Sequence, residues 1–158
     1  MNVKNMMLTG LLLCNATALN AGIEDPVTGH ESVYINEVNA YSMSGAPDTD
    51  VDHQNTCMQK FGWISNSDIL EIDYKIHVKT GMQSASIKFK DALVDLQPMG
   101  ISKSYSFMTQ RGIPAALKEL NIRQIYFRLN KEFVLKKVAV SFEDKNLDYQ
   151  CIAETTFK

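Results

Sequence analysis

The chain has 158 residues, 45% of them hydrophobic and 22% charged, and a formal net charge of −2. That length suits one ordinary domain with a buried core, and the composition excludes wholesale disorder. No basic excess points to a nucleic-acid partner.

Met1 to Asn5 is a short polar start with one cation, Lys4. Met6 to Cys14 is an apolar run, and Ala16-Thr17-Ala18 fits the small-x-small pattern of a signal-peptidase site. This layout predicts a secretory signal peptide over residues 1–18, with Ala21 as the second choice of cleavage point. The apolar run is shorter than the about 20 residues that a membrane-spanning helix needs. No later stretch is longer, so no transmembrane segment is expected after the leader is removed. Cys14 follows three leucines, but lipoprotein processing favours a small residue where Leu13 stands, so lipidation of Cys14 is the lesser reading. The expected location is periplasmic or secreted. A bacterial periplasm is favoured, because the glycosylation sequon Asn15-Ala16-Thr17 lies inside the leader.

Residues 19–56 read as an acidic leader with one strand and a loop. Glu24, Asp25, Glu31, Glu37, Asp48, Asp50 and Asp52 fall here, while Lys and Arg are absent from Leu19 to Gln59. From Tyr74 onward the basic residues outnumber the acids. A solvated or internally neutralised acidic face is the simpler reading of that asymmetry, and a docking segment for a cationic partner is the other. Ser32 to Ser42 predicts a strand, and Met43 to Gln54 a loop. Within it, Asp48, Asp50 and Asp52 alternate before His53, as oxygen ligands for a cation could. An EF-hand loop starting at Asp48 would need Gly and Glu where His53 and Gln59 stand, so an exposed acidic turn is the better reading.

Residues 57–158 read as a disulfide-closed β core, with 19–158 forming a single domain. Phe61 to Ile64 is an aromatic strand candidate. Leu70, Ile72, Tyr74, Ile76 and Val78 alternate with charged residues, the clearest strand pattern in the chain. Ala85, Ile87 and Phe89 continue after a turn at Gly81. The phase slips at Lys90-Asp91, where a bulge or bend would restore the apolar face. Gly112 to Asn121 is the one good helix expected after the leader. Residues 122–129, 133–142 and 147–157 follow as strands with short separators, which predicts an antiparallel meander. The expected fold is mainly β: an antiparallel β-sandwich or strongly curved sheet of seven to eight strands with one short helix.

Once the leader is gone, Cys57 and Cys151 are the remaining cysteines. In an oxidising compartment such a pair predicts one disulfide. No Gly-x-Ser-x-Gly elbow, His-Glu-x-x-His motif or phosphate-binding glycine loop occurs. No cofactor, metal or catalytic residue is therefore assigned. Trp63 reads as core packed near the disulfide. Tyr126 and Phe127 are adjacent on a predicted strand, so one of them faces outward. An outward Tyr126 flanked by Arg123 and Arg128 is the candidate partner contact, since aromatic residues and Arg are enriched at interfaces. The expected function is a non-enzymatic exported binding or structural module with a protein partner at the cell envelope or outside it. A small lipid or hydrophobic-ligand carrier is the alternative, and a hydrolase with a site dispersed in sequence comes third.

Overall fold

The computed structural model describes residues 24–100, 104–109 and 112–158. The proposed leader, including Cys14, lies outside the described residues. Among the described residues nine strands occur in chain order: β1 (Val27–Tyr34), β2 (Glu37–Ser42), β3 (Ile69–Ile76), β4 (Gln83–Phe89), β5 (Ala92–Pro98), β6 (Ser104–Met108), β7 (Ile122–Asn130), β8 (Leu135–Phe142) and β9 (Tyr149–Thr156). The helices are α1 (Val51–Phe61), α2 (Trp63–Ser67) and α3 (Ala115–Lys118). The strands form one antiparallel sheet in the order β1-β3-β4-β5-β6-β7-β8-β9-β2, curled into a half-barrel. This is the strongly curved sheet form of the fold expected from the sequence.

Chain connectivity forces the curl. Only Ile35 and Asn36 separate β1 from β2, yet these strands stand at opposite ends of the sheet order. Three Cα–Cα steps reach at most about 11 Å. Nine strands laid flat would hold their outer members about 38 Å apart. The sheet must therefore roll until its ends meet. Thr155 ties the seam: its hydroxyl accepts from Asn36 N at 2.8 Å and donates to the Tyr34 carbonyl at 2.9 Å.

The inward face carries the apolar half of each alternation. Leu70, Ile72, Ile76, Ile87, Phe89, Phe107, Ile125, Phe127, Leu129, Val138 and Val140 are all buried there. Tyr74 and Phe127 lie four places apart in the sheet order, yet their ring centroids are 6.5 Å apart. The concave space is thus occupied by side chains. At one end Phe61 stacks on Phe142 at 4.2 Å, and Trp63 packs against Phe89 and Phe142 at 6.0 and 6.1 Å. Phe142 is in turn the cross-strand partner of Cys151.

Several local expectations are corrected. The strand expected over 32–42 is two strands, broken at Ile35-Asn36 where the chain crosses the seam. Residues 51–54 begin helix α1 instead of ending a loop, and the aromatic run at Phe61 to Ile64 is helical. Asp50 starts α1 by accepting from Asp52 N and His53 N at 2.8 and 3.3 Å. Cys57 and Phe61, one turn apart, are the buried side of that helix. The helix expected over 112–121 shrinks to the single turn of α3, whose one buried residue is Leu117. The phase slip at Lys90-Asp91 is a tight hairpin, with Phe89 opposite Ala92 and Lys90 at φ 56°. The predicted C-terminal meander is present as β7-β8-β9.

Candidate functional site on the convex face

Cys57 on α1 and Cys151 on β9 form a disulfide, with Cα atoms 5.4 Å apart. It fastens the helix to the sheet from within the core, where both residues are buried. The acidic turn before α1 is spent on starting the helix. Asp48 accepts from Asp50 N at 2.9 Å and from the His53 ring Nδ1 at 2.7 Å. The His53 ring stacks on Tyr149 at 3.9 Å. The Asp50 amide and the imidazole hold the Asp48 carboxyl below its ordinary value, and Asp48 in turn raises the His53 pKa. Among the described residues no group of His, Cys, Asp and Glu is arranged to hold a metal ion.

β7 sends Ile125, Phe127 and Leu129 into the core, while Tyr126 and Arg128 lie half-buried on the convex side. Arg123 does not join them. The register between β7 and β8 shifts between Ile122 and Gln124, which leaves Arg123 as an extra, exposed residue. It lines a separate cleft with Lys118, Glu143 and Lys145 at one end of the barrel. The predicted contact group is therefore split, with Tyr126 and Arg128 in one place and Arg123 in another.

Around Tyr126 the convex face holds a polar network that sequence reasoning missed. Strand register lines up Tyr126, Ala139 and Glu154 across β7, β8 and β9. The Glu154 side chain is only 5% exposed, although it points away from the apolar core. It accepts hydrogen bonds from the Tyr41 hydroxyl and from Asn39 Nδ2 at 3.3 Å, and it pairs with Lys137 Nζ at 3.3 Å. Burial, followed by the bond to Glu154, pushes the Tyr41 pKa far above its ordinary value. The Tyr41 hydroxyl therefore stands as a donor to Glu154. The Tyr126 hydroxyl lies 3.4 Å from Ser106 Oγ. A cavity of about 240 Å³ opens among Tyr41, Tyr126, Lys137 and Glu154. Beside Tyr126, Arg128 has a buried Nε with no hydrogen-bond partner.

This arrangement orders tyrosine and lysine side chains in fixed positions at a protein surface. All three donors converge on a single carboxylate, an organisation suited to holding groups still. Comparison with known protein families, with curated proteins and with solved structures finds no match to this chain.

Proposed function

We propose that the protein is an exported, non-enzymatic binding module that takes a protein partner on the convex face around Tyr126. The observation that carries this reading is the Glu154 network. A carboxylate buried on the outer side of a sheet, held by Tyr41, Asn39 and Lys137, costs desolvation that an apolar patch would avoid. What it supplies is a pre-ordered Tyr41 and Lys137, which line one cavity with Tyr126, next to Arg128. Ordered aromatic and Arg side chains lose little entropy on binding and are the residue types that dominate interface energetics.

Two further features agree with an extracytoplasmic location. The start of the chain has the layout of an export signal. The disulfide suits an oxidising compartment. No helix of the described residues is long and apolar enough to cross a membrane.

The test is affinity capture from envelope extract with wild type, Tyr126→Ala, Arg128→Ala and Arg123→Ala in parallel. The proposal expects one partner retained by wild type and Arg123→Ala, and lost about tenfold or more with Tyr126→Ala or Arg128→Ala. A partner held equally by all four proteins would place the interface elsewhere.

A further inference from the structure

The two outer strands of the sheet are treated differently. β2 has its free side closed by its own chain. Tyr41 bridges to Pro47, Ser42 N donates to the Ala46 carbonyl at 2.8 Å, and Asp48 N donates to the Ala40 carbonyl at 3.1 Å. Gln54 completes the closure by accepting from Ala40 N at 3.0 Å. Among the described strands β1 pairs with β3 alone. Among the described residues, the side of β1 turned away from β3 receives no hydrogen bond from Val27 to Val33. Its hydrogen bond across the seam is made at Tyr34, whose carbonyl accepts from the Thr155 hydroxyl. A row of backbone donors and acceptors with no protein partner is a template for another strand.

We propose that this edge of β1 is a second docking surface, which takes an extended segment of a partner protein carrying Lys or Arg opposite Glu31. The charge pattern selects that occupant. Glu31 pairs with buried Ile72, so it stands on the concave side of the sheet, yet it is exposed. It is the one charge on that side of β1, between Gly29 and Val33. A strand laid alongside β1 would set one residue against the carboxylate and residues two places away against Gly29 and Val33. A basic residue at the centre with apolar residues on either side matches all three positions.

A second copy of the chain fits poorly. Antiparallel pairing about a two-fold axis keeps concave residues opposite concave residues. The two registers of greatest overlap then set either Glu31 on Glu31 or His30 on His30. The first opposes two carboxylates. In the second, each His30 ring is already bonded to Asp73 at 2.8 Å and Glu71 at 2.9 Å, which favours the cation. Like charges directly opposite each other weaken a ladder. The surface is distinct from the Tyr126 face, so either can fail without the other.

The probe is a synthetic peptide, acetyl-Thr-Val-Thr-Lys-Thr-Val-Thr-amide, titrated into the isotopically labelled full domain and followed by backbone amide shifts. The proposal expects shifts confined to Val27–Val33. It also expects binding about tenfold weaker when Glu replaces the central Lys, and loss of binding when alternate peptide nitrogens are methylated. In the Glu31→Lys variant the preference should invert toward the Glu peptide. No shifts along β1 with the Lys peptide, equal affinity for both peptides, or concentration-dependent self-pairing of β1 would each overturn it.

Discussion

Tyr74 on β3 lies across Gly29 on β1, and its ring fills the space that a side chain at position 29 would occupy. The two residues are direct cross-strand partners. A Cβ at Gly29 would meet the Tyr74 ring at 2.2 Å. The ring cannot simply swing aside, because its hydroxyl donates to the Phe133 carbonyl at 3.1 Å on the far side of the barrel. Glycine here therefore couples the open edge strand to the hairpin between β7 and β8. Gly29→Ala should destabilise the fold by about 1–3 kcal/mol in urea denaturation. In a Tyr74→Leu background most of that cost should vanish, and an undiminished cost would refute the coupling.

The disulfide should matter most to α1. It closes a separation of 94 residues. Paired replacement of Cys57 and Cys151 by Ala should cost about 4.5 kcal/mol in the chain-entropy model. Hydrogen exchange should show α1 losing protection before the meander strands, since only Cys57 and Phe61 of the helix are buried. Uniform loss across the sheet would contradict this order.

The Glu154 network predicts a non-additive mutant series. Glu154→Ala leaves Tyr41, Asn39 and Lys137 without their shared acceptor. The expected loss is about 2–4 kcal/mol, below the range for a fully buried pair because Lys137 is 36% exposed. Replacing Tyr41 by Phe, Lys137 by Met and Glu154 by Leu together should recover most of that loss, since the half-buried Asn39 amide is then the one donor left without its acceptor. The recovered fold should still fail to hold the partner, which separates the network's role in binding from its role in stability.

Stability should peak in mildly acidic solution. Asp73 and Glu71 raise the pKa of His30, and Asp48 raises that of His53, above the ordinary 6.5. Groups with raised folded values contribute fully below the unfolded value and lose that contribution as pH rises through the folded value. Asp48 and Asp144 are held below the ordinary 3.8, Asp48 by the Asp50 amide and then His53, Asp144 chiefly by Lys60. Their contribution is present above 3.8 and is lost as pH falls further. The denaturation midpoint should therefore be higher near about pH 5.5 than near about pH 8.5. The double variant His30→Gln, His53→Gln should flatten that difference, and an unchanged slope would rule out these histidines.

Legibility in the sequence followed the strength of local periodicity. Leu70 to Val78 alternates without a break, and β3 follows it as far as Ile76, while Val78 falls in the turn beyond and is exposed. Helix α1 was hidden because Asp, His, Asn, Thr and Cys are weak helix formers and only two positions are buried. The readable clue was Asp50 ahead of Cys57 and Phe61, a cap followed by two apolar residues one turn apart. Outward Tyr126 followed from alternation along β7, but the bulge that separates Arg123 from it leaves no local mark. The Glu154 network joins residues more than 100 positions apart, and only the pairing of β2 with β9 brings Tyr41 and Asn39 to it. No pattern within one strand could reveal it.

The most direct measurement of the proposed binding role is site-specific photocrosslinking in the native host. A benzoylphenylalanine is placed at Tyr126 and, as a control, at Leu93, which is 64% exposed on β5. The account predicts one discrete adduct at Tyr126, absent at Leu93 and abolished by Arg128→Glu. A folded, disulfide-bonded protein that gives no adduct at Tyr126, or the same adducts from both positions, would contradict it.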